Sequence, residues 1–179
     1  PSPQLKSLRL LFILASILNL DCYHFDITGA FLNSPLKHEI WLKLPEGFPT
    51  EKFGNKKYGR LLKSLYGLRQ AGHDWNVLQE EFVLGYDSRF KKSSVEPCIY
   101  YFYDKDMWVI LYVQVDDYIM ATNSDEYYHD FAKAYGDKYD LVELGLVRFA
   151  LQTKITKTDE GAYQLSQKRH IQALLKEFG

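Results

Sequence analysis

The feature that most constrains the fold is an apolar stretch, residues 108–122, interrupted by two adjacent acids, Asp116 and Asp117. Its β-branched and aromatic residues, and the shortness of each apolar run, predict a strand, a turn and a second strand. The two carboxylates would then lie at the tip of a hairpin. Two-residue hairpin turns favour Asn-Gly or Asp-Gly because they need a positive φ, so turn geometry does not explain Asp-Asp. Adjacent like charges repel unless a cation lies beside them; this stretch alone leaves a solvated turn and a metal site both open.

Length and composition indicate an ordinary globular chain. Its 179 residues are 46% hydrophobic and 25% charged, which suits one domain, or one domain plus a piece of another. The formal net charge of −1 gives no global basic field, so a nucleic-acid partner would need a local basic patch. Cys22 and Cys98 are far apart in sequence and form no CxxC motif; the expected setting is intracellular and reducing.

Hydrophobic periodicity predicts an α+β fold. Helices are expected at 4–19, at 71–84, from 124 to near 136 and from 166 onward. Strands are expected at 22–25, 39–44, 60–63, 98–103, 108–115, 118–121, 147–156 and 162–165. This order predicts an antiparallel sheet that carries helices on one face. The apolar run at 10–20 is shorter than the roughly 20 residues of a membrane span, so it is interpreted as a buried helix.

A third acid, Asp26, directly follows the predicted strand at 22–25. Mg²⁺ is typically held by one or two protein carboxylates together with substrate phosphates. Two such ions about 4 Å apart can stabilise the attacking and leaving oxygens of a phosphoryl transfer. A lone acid beside an acidic hairpin suits this role, although acids are also common at solvated strand ends.

Other chemical motifs are weaker. Gly54 and Gly59 have the spacing of a phosphate-binding loop, but Arg60 and Leu61 stand where Lys and Ser or Thr are required. This segment is therefore interpreted as a loop. The five histidines show no i, i+4 pairing, so none predicts a zinc site. Basic residues in the loop at 52–60 leave a phosphate-backbone contact and a solvated loop both open.

Several segments together carry a specific resemblance. They are 25–33 (FDITGAFLN), 44–48 (LPEGF), 63–71 (KSLYGLRQA) with Trp75 beyond it, 95–100 (VEPCIY), 165–167 (LSQ) and Asp116-Asp117. Their pattern closely resembles the reverse transcriptase of copia-type (Ty/copia, Pseudoviridae) LTR retrotransposons, over nearly the whole chain. The acidic pair falls on the Y-V-D-D box of that family, and 63–71 on its K-S-L-Y-G-L-K-Q-A signature.

The resemblance implies a polymerase palm, an antiparallel sheet backed by helices, with catalytic and metal-binding roles for its acids. Asp26 and Asp116 would carry two Mg²⁺ ions, for which Mn²⁺ could substitute, and Asp117 would support them. Phe31 matches the aromatic gate that excludes a ribose 2′-OH. Gly67 and Arg69 lie in the block that lines the nucleotide and template, and Gln114 falls on a residue that touches the primer end.

The sequence departs from the family pattern at several positions, of which four concern the candidate site and its surroundings. Gln114 stands where Tyr or Phe is usual, and Gly72 replaces an expected proline. Val142 replaces a lysine of the M-K-D-L-G segment, and Gln152 replaces a glycine of F-L-G-I in the primer-grip hairpin.

The resemblance also sets expectations for the whole chain. Residues 1–179 are expected to form a palm with partial fingers, an excerpt that lacks the N-terminal fingers strands. The expected partners are an RNA template, a DNA primer and deoxynucleoside triphosphates, with no membrane. The expected location is intracellular, either cytoplasmic in a virus-like particle or nuclear. Two rival functions remain open: an inactive remnant that at most binds nucleic acid, and a metal-dependent nuclease.

Overall fold

The computed structural model describes residues 5–178, apart from the side chain of Phe53. The helices are α1 Leu5–Ile17, α2 Ala71–Tyr86, α3 Asp125–Gly136 and α4 Lys168–Phe178. The strands are β1 Asp21–Ile27, β2 Trp41–Lys43, β3 Tyr58–Arg60, β4 Lys91–Lys92, β5 Ile99–Asp104, β6 Met107–Gln114, β7 Asp117–Thr122, β8 Leu141–Leu146, β9 Phe149–Ala150, β10 Thr153–Lys157 and β11 Tyr163–Ser166. Two 3₁₀ helices cover Ala30–Asn33 and Thr50–Phe53.

The main sheet has six antiparallel strands in the order β4-β5-β6-β7-β1-β8. The most apolar strands, β6 and β7, lie at its centre, and most of their residues are buried. A three-stranded sheet, β11-β10-β9, and a two-stranded sheet, β2-β3, complete the strand pairing. The prediction of an α+β fold with an antiparallel sheet, consistent with a polymerase palm, is confirmed.

Helices cover both faces of the main sheet. Val109, Leu111 and Val113 of β6 share a hydrophobic cluster with α2 and α3. The alternate residues Ile110 and Tyr112 belong to a second cluster, which includes α1 and β10. The prediction of helices on one face is therefore wrong. An uninterrupted apolar strand such as β6 is typical of a sheet buried on both faces.

Several strands also differ from the sequence-based prediction: the strand expected at 60–63 is β3, Tyr58–Arg60, and β4 was not predicted. The expected strand at 147–156 is broken, because Leu151 and Gln152 adopt positive φ (47° and 58°) and turn β9 into β10. Strand β8 was not predicted; its residues are mostly exposed, so it shows no alternating pattern. The predicted helix at 4–19 matches α1, and its first residue lies outside the described residues.

Within residues 5–178, no helix has the length and apolar character needed to cross a membrane. The apolar helix α1 spans 13 residues and packs Leu8, Leu11 and Phe12 into the second cluster. The run is helical as interpreted, but the helix is buried on one face only, because Leu10, Ile13 and Ile17 are 50%, 55% and 73% exposed.

Candidate functional site

Pairing between β1 and β7 places the three acids side by side. Asp26 and Asp117 are directly opposed Cα partners in this antiparallel ladder. The backbone N–H of Ile27 donates to the carbonyl oxygen of Asp116 at 2.8 Å. Directly opposed side chains lie on the same face of a sheet. The acids separated by about ninety residues in sequence therefore meet at one end of the neighbouring strands β1 and β7.

The hairpin that carries the acidic pair has an unusual turn. Gln114 pairs with Asp117, so Val115 and Asp116 form the two-residue turn and Asp117 is already in β7. Val115 has a φ of 54°, a left-handed conformation that a β-branched residue rarely adopts. The predicted hairpin is confirmed, whereas only Asp116 of the pair lies in the turn itself.

Asp116 has two differently placed carboxylate oxygens. Oδ2 accepts a hydrogen bond of 2.9 Å from the hydroxyl of Tyr66. Oδ1 is buried and has no hydrogen-bond partner among the described residues. Burial raises the pKa of Asp116, the hydrogen bond from Tyr66 lowers it, and the charge of Asp117 raises it further. A buried carboxylate oxygen without a donor is a position where a cation would be favourable.

Asp26 is held in an acidic environment. Burial raises its pKa above the usual value, and the charges of Asp117 and Asp116 add to the rise, while His24 opposes it. His24 lies on the same strand, with Nε2 3.1 Å from Oδ1 of Asp117. The imidazole is largely buried, whereas the Asp117 side chain is 45% exposed. The three carboxylates thus repel one another, and the imidazole of His24 lies beside them.

Phe31 and Tyr66 form an aromatic pair next to the acids. The 3₁₀ helix Ala30–Asn33 carries Phe31 directly after β1, and its ring centroid lies 4.7 Å from that of Tyr66. Gly67 follows with a φ of 97°, which glycine adopts without steric cost. The loop that precedes α2 therefore turns at Gly67 and directs Tyr66 toward the acids.

The remaining predicted residues are less closely connected to the acids. Arg69 is exposed in the loop before α2. Gln114 is half-buried, and its Oε1 lies 3.5 Å from the hydroxyl of Tyr112. In the part of the chain that the structure describes, Arg69 forms no hydrogen bond or ion pair with the three acids. The structure thus brings Asp26, Asp116 and Asp117 together but does not join Arg69 to them.

Sequence reasoning did not assign a role to three residues that touch the acids or their turn. They are His24, Tyr66 and Trp75, whose indole Nε1–H donates to the carbonyl oxygen of Val115 at 2.8 Å. His24 could have been found, because residues two apart on a strand share a face. Tyr66 and Trp75 lie in or just beyond the signature block at 63–71, but nothing local in the sequence shows that they reach the β6–β7 turn.

A divalent cation at this site would have only a few ligands from the protein. Among residues 5–178, no group of three or more His, Cys, Asp or Glu side chains is arranged to hold a metal ion. Mg²⁺ commonly takes only one or two carboxylates and completes its shell with water and substrate phosphates. The unpartnered Oδ1 of Asp116 and the repulsion that raises the pKa of Asp26 suit such a partial site.

Comparisons with known proteins identify the family of the chain. The whole chain, residues 1–179, matches the family described as "Reverse transcriptase (RNA-dependent DNA polymerase)". The retrovirus-related Pol polyprotein from transposon TNT 1-94 of Nicotiana tabacum is 31% identical over 99% of this chain, which spans 13% of that protein. A transposon Ty5-1 protein of Saccharomyces cerevisiae is 29% identical over 82% of the chain, which spans 46% of it.

A third relative is the retrovirus-related Pol polyprotein from transposon RE1 of Arabidopsis thaliana. It is 24% identical over 97% of this chain, which spans 12% of that protein. No solved structure matches the chain. The chain thus corresponds to a small part of each polyprotein, and the resemblance to copia-type elements is confirmed. The chain belongs to the reverse transcriptase (RNA-dependent DNA polymerase) family.

Proposed function

We propose that this chain is the RNA-directed DNA polymerase domain of a copia-type retrotransposon polyprotein, and that Asp26, Asp116 and Asp117 are its catalytic, metal-binding residues. The observation that carries the proposal is the pairing of Asp26 with Asp117 beside the unpartnered Oδ1 of Asp116. In a member of this family, three carboxylates at one end of β1 and β7 suit nucleotidyl transfer better than a purely structural role.

The acids would act by holding two Mg²⁺ ions, or Mn²⁺ as a substitute, through Asp26 and Asp116. When bound, such a pair supplies positive charge to the attacking and leaving oxygens of a phosphoryl transfer. The half-exposed Asp117 supports the site while His24 holds its Oδ1. The reaction joins a primer 3′-OH to the α-phosphate of a deoxynucleotide, and pyrophosphate leaves.

The aromatic pair and the neighbouring loop would bind the nucleotide. Phe31, in contact with Tyr66, is the residue expected to exclude a ribose 2′-OH. Gly67 and Arg69 line the nucleotide and template, and Gln114 lies toward the primer end. Residues 1–179 would thereby form a palm with partial fingers.

Nucleic acid would also contact a basic surface formed by β10, β11 and α4. Lys154 of β10 and Lys168 and Arg169 of α4 line an open hollow of about 330 Å³. Lysine and arginine contacts to phosphates provide affinity without reading sequence. This surface suits an RNA template paired with a DNA primer. The proposed setting is intracellular, in a cytoplasmic virus-like particle or in the nucleus.

Primer extension on an RNA template with Mg²⁺ tests the polymerase. The chain is expected to extend the primer, and Asp116→Asn is expected to lower the rate by at least about 100-fold, the scale seen when a group that stabilises transition-state charge is removed. Asp137→Asn, an exposed acid at the end of α3, is the matched control. Extension that survives Asp116→Asn would show that the catalytic assignment is wrong.

The same basic hollow favours a second candidate, a nucleic-acid-binding module without catalysis. Calorimetric titration with Mg²⁺ separates the two functions. A heat of Mg²⁺ binding that disappears in Asp116→Asn supports the polymerase. Retained binding of the RNA–DNA duplex with no Mg²⁺-dependent heat supports the module. Cleavage of nucleic acid without added nucleotides would instead indicate a nuclease.

A further inference from the structure

The turn that carries Asp116 is held in a sterically disfavoured conformation. Val115 lies in the left-handed region, with a φ of 54°, where a branched Cβ crowds its own backbone. Two-residue hairpin turns normally have Gly, Asn or Asp at positions with a positive φ. A conformation of this kind persists only when surrounding contacts enforce it.

The side chain of Trp75 contacts the backbone of Val115. Trp75 of α2 donates its indole Nε1–H to the carbonyl oxygen of Val115 at 2.8 Å. Trp75 is 1% exposed, and its ring meets that of Tyr139 edge-on, with centroids 5.1 Å apart. Because the Trp75 side chain is fixed by its packing, its N–H cannot move with the turn. A change in the turn conformation would therefore break this hydrogen bond.

The contact bears directly on Asp116. The carbonyl of Val115 belongs to the peptide unit that leads into Asp116, so its direction constrains the Asp116 backbone. The next carbonyl, that of Asp116, accepts from the N–H of Ile27 at 2.8 Å. Asp116 is thus held by α2 on one side and by β1 on the other.

We propose that Trp75 is a positioning residue for the catalytic turn. Its indole N–H enforces the left-handed conformation of Val115 and so aims the Asp116 carboxylate at the cation site beside Asp26. The proposal rests on the proposed function in one respect, the binding of a cation by Asp116. A tryptophan that only fills the core would need its ring and not its N–H.

The test removes the N–H and the strain separately. Trp75→Phe keeps an aromatic ring and removes the donor, whereas Val115→Gly allows a positive φ without strain. The two single variants and the double variant form a double-mutant cycle. Trp108→Phe is the matched control, because Trp108 stacks on Tyr103 at the end of β6 opposite the turn. If Trp75→Phe does not fold, 3-benzothienylalanine at position 75 replaces the N–H by sulfur and keeps the ring size.

Two measurements on the chain give the outcome. Trp75→Phe is expected to weaken Mg²⁺ binding about 3- to 10-fold, the effect of one lost hydrogen bond, and to speed amide hydrogen exchange at Ile27 by a similar factor. In the Val115→Gly background the same substitution is expected to change either quantity less than about 2-fold. An equal effect in both backgrounds, or none in either, would overturn the proposal.

The exchange measurement keeps this inference distinct from the proposed function. If the unaltered chain binds no Mg²⁺, the proposed catalytic site is wrong, and exchange at Ile27 alone decides the role of Trp75. If the unaltered chain binds Mg²⁺ and Trp75→Phe matches it in both measurements, only the positioning role is wrong.

Discussion

The hydroxyl of Tyr66 donates a hydrogen bond of 2.9 Å to Oδ2 of Asp116. This contact joins the loop that precedes α2 to the β6–β7 turn, two segments that are far apart in the sequence. It stabilises the charged form of one carboxylate in a group of three that repel one another. The phenol and the three acids therefore form one electrostatic unit.

Replacing Tyr66 by phenylalanine is expected to raise the pKa of Asp116. The hydrogen bond from Tyr66 stabilises the ionised carboxylate of Asp116, so its loss raises the pKa of Asp116. At this partly buried position, the loss of a hydrogen bond to a charged group should shift the pKa by up to about one unit. The acidic limb of Mg²⁺ binding should move to higher pH by that amount, as measured by calorimetry from about pH 4 upward. The control is Tyr101→Phe on β5, remote from the acids. A limb that moves to lower pH would contradict the assignment.

Neutralising Asp26 is expected to stabilise the fold at neutral pH when no cation is present. Its pKa is raised above the ordinary 3.8, so above pH 3.8 the folded state binds more protons than the unfolded chain. The free energy of unfolding then falls as pH rises through the raised value. Asp26→Asn removes this loss and should raise the free energy of unfolding at pH 7 by no more than about 1 kcal/mol, because solvent screens these partly exposed charges, with a smaller gain as the pH falls toward 4.

Urea unfolding at pH 5 and pH 7, in a chelator, measures this effect. Asp137→Asn, at an exposed site, controls for the general change in net charge. A variant Asp26→Asn that is less stable than the unaltered chain at pH 7 would show that the three acids do not repel one another as described.

Substitution of Phe31 tests the proposed nucleotide gate. The ring packs against Tyr66, and Phe31→Ala would open a space the size of the ring beside the site. Discrimination between deoxynucleotides and ribonucleotides should fall at least about 10-fold, equivalent to about 1.4 kcal/mol. The ratio of kcat/KM for the two substrates measures it. Leu32→Ala, at a neighbouring side chain that is 44% exposed, should leave the ratio unchanged, and equal effects at both positions would contradict a gate at Phe31.

A buried tyrosine cluster beneath β7 is expected to determine stability rather than chemistry. The Tyr118 hydroxyl donates to Oε1 of Gln79 at 2.8 Å and lies 2.8 Å from the hydroxyl of Tyr135. Tyr118→Phe leaves both partners buried with fewer hydrogen bonds, a cost of about 1–3 kcal/mol. Urea unfolding should show this loss. Tyr103→Phe removes only an exposed hydrogen bond to Asp106 and should lower the free energy of unfolding by less than about 0.5 kcal/mol. Equal losses for the two variants would show that the buried hydrogen bonds of Tyr118 do not stabilise the fold more than an exposed one.

The sequence predicted most of the elements that carry the site. The apolar runs around Asp116 and Asp117 and the strand before Asp26 were recognisable because strands with a strong local pattern are found from their own residues. Strand β8 was missed because its position depends on pairing with β1. There Gly145 adopts a φ of 72° and the register shifts opposite His24 and Phe25, features that no local pattern encodes.

The amino-acid sequence by itself determined which chemistry is present: three acids, an aromatic at Phe31 and the signature block at 63–71 that marks the family. Only the tertiary structure decided that Asp26 faces Asp117, that Tyr66 holds Asp116 and that Trp75 supports Val115. These contacts join segments distant in the chain, so their geometry depends on strand register and helix packing. Those in turn arise from the burial of many side chains together, which no single stretch of sequence specifies.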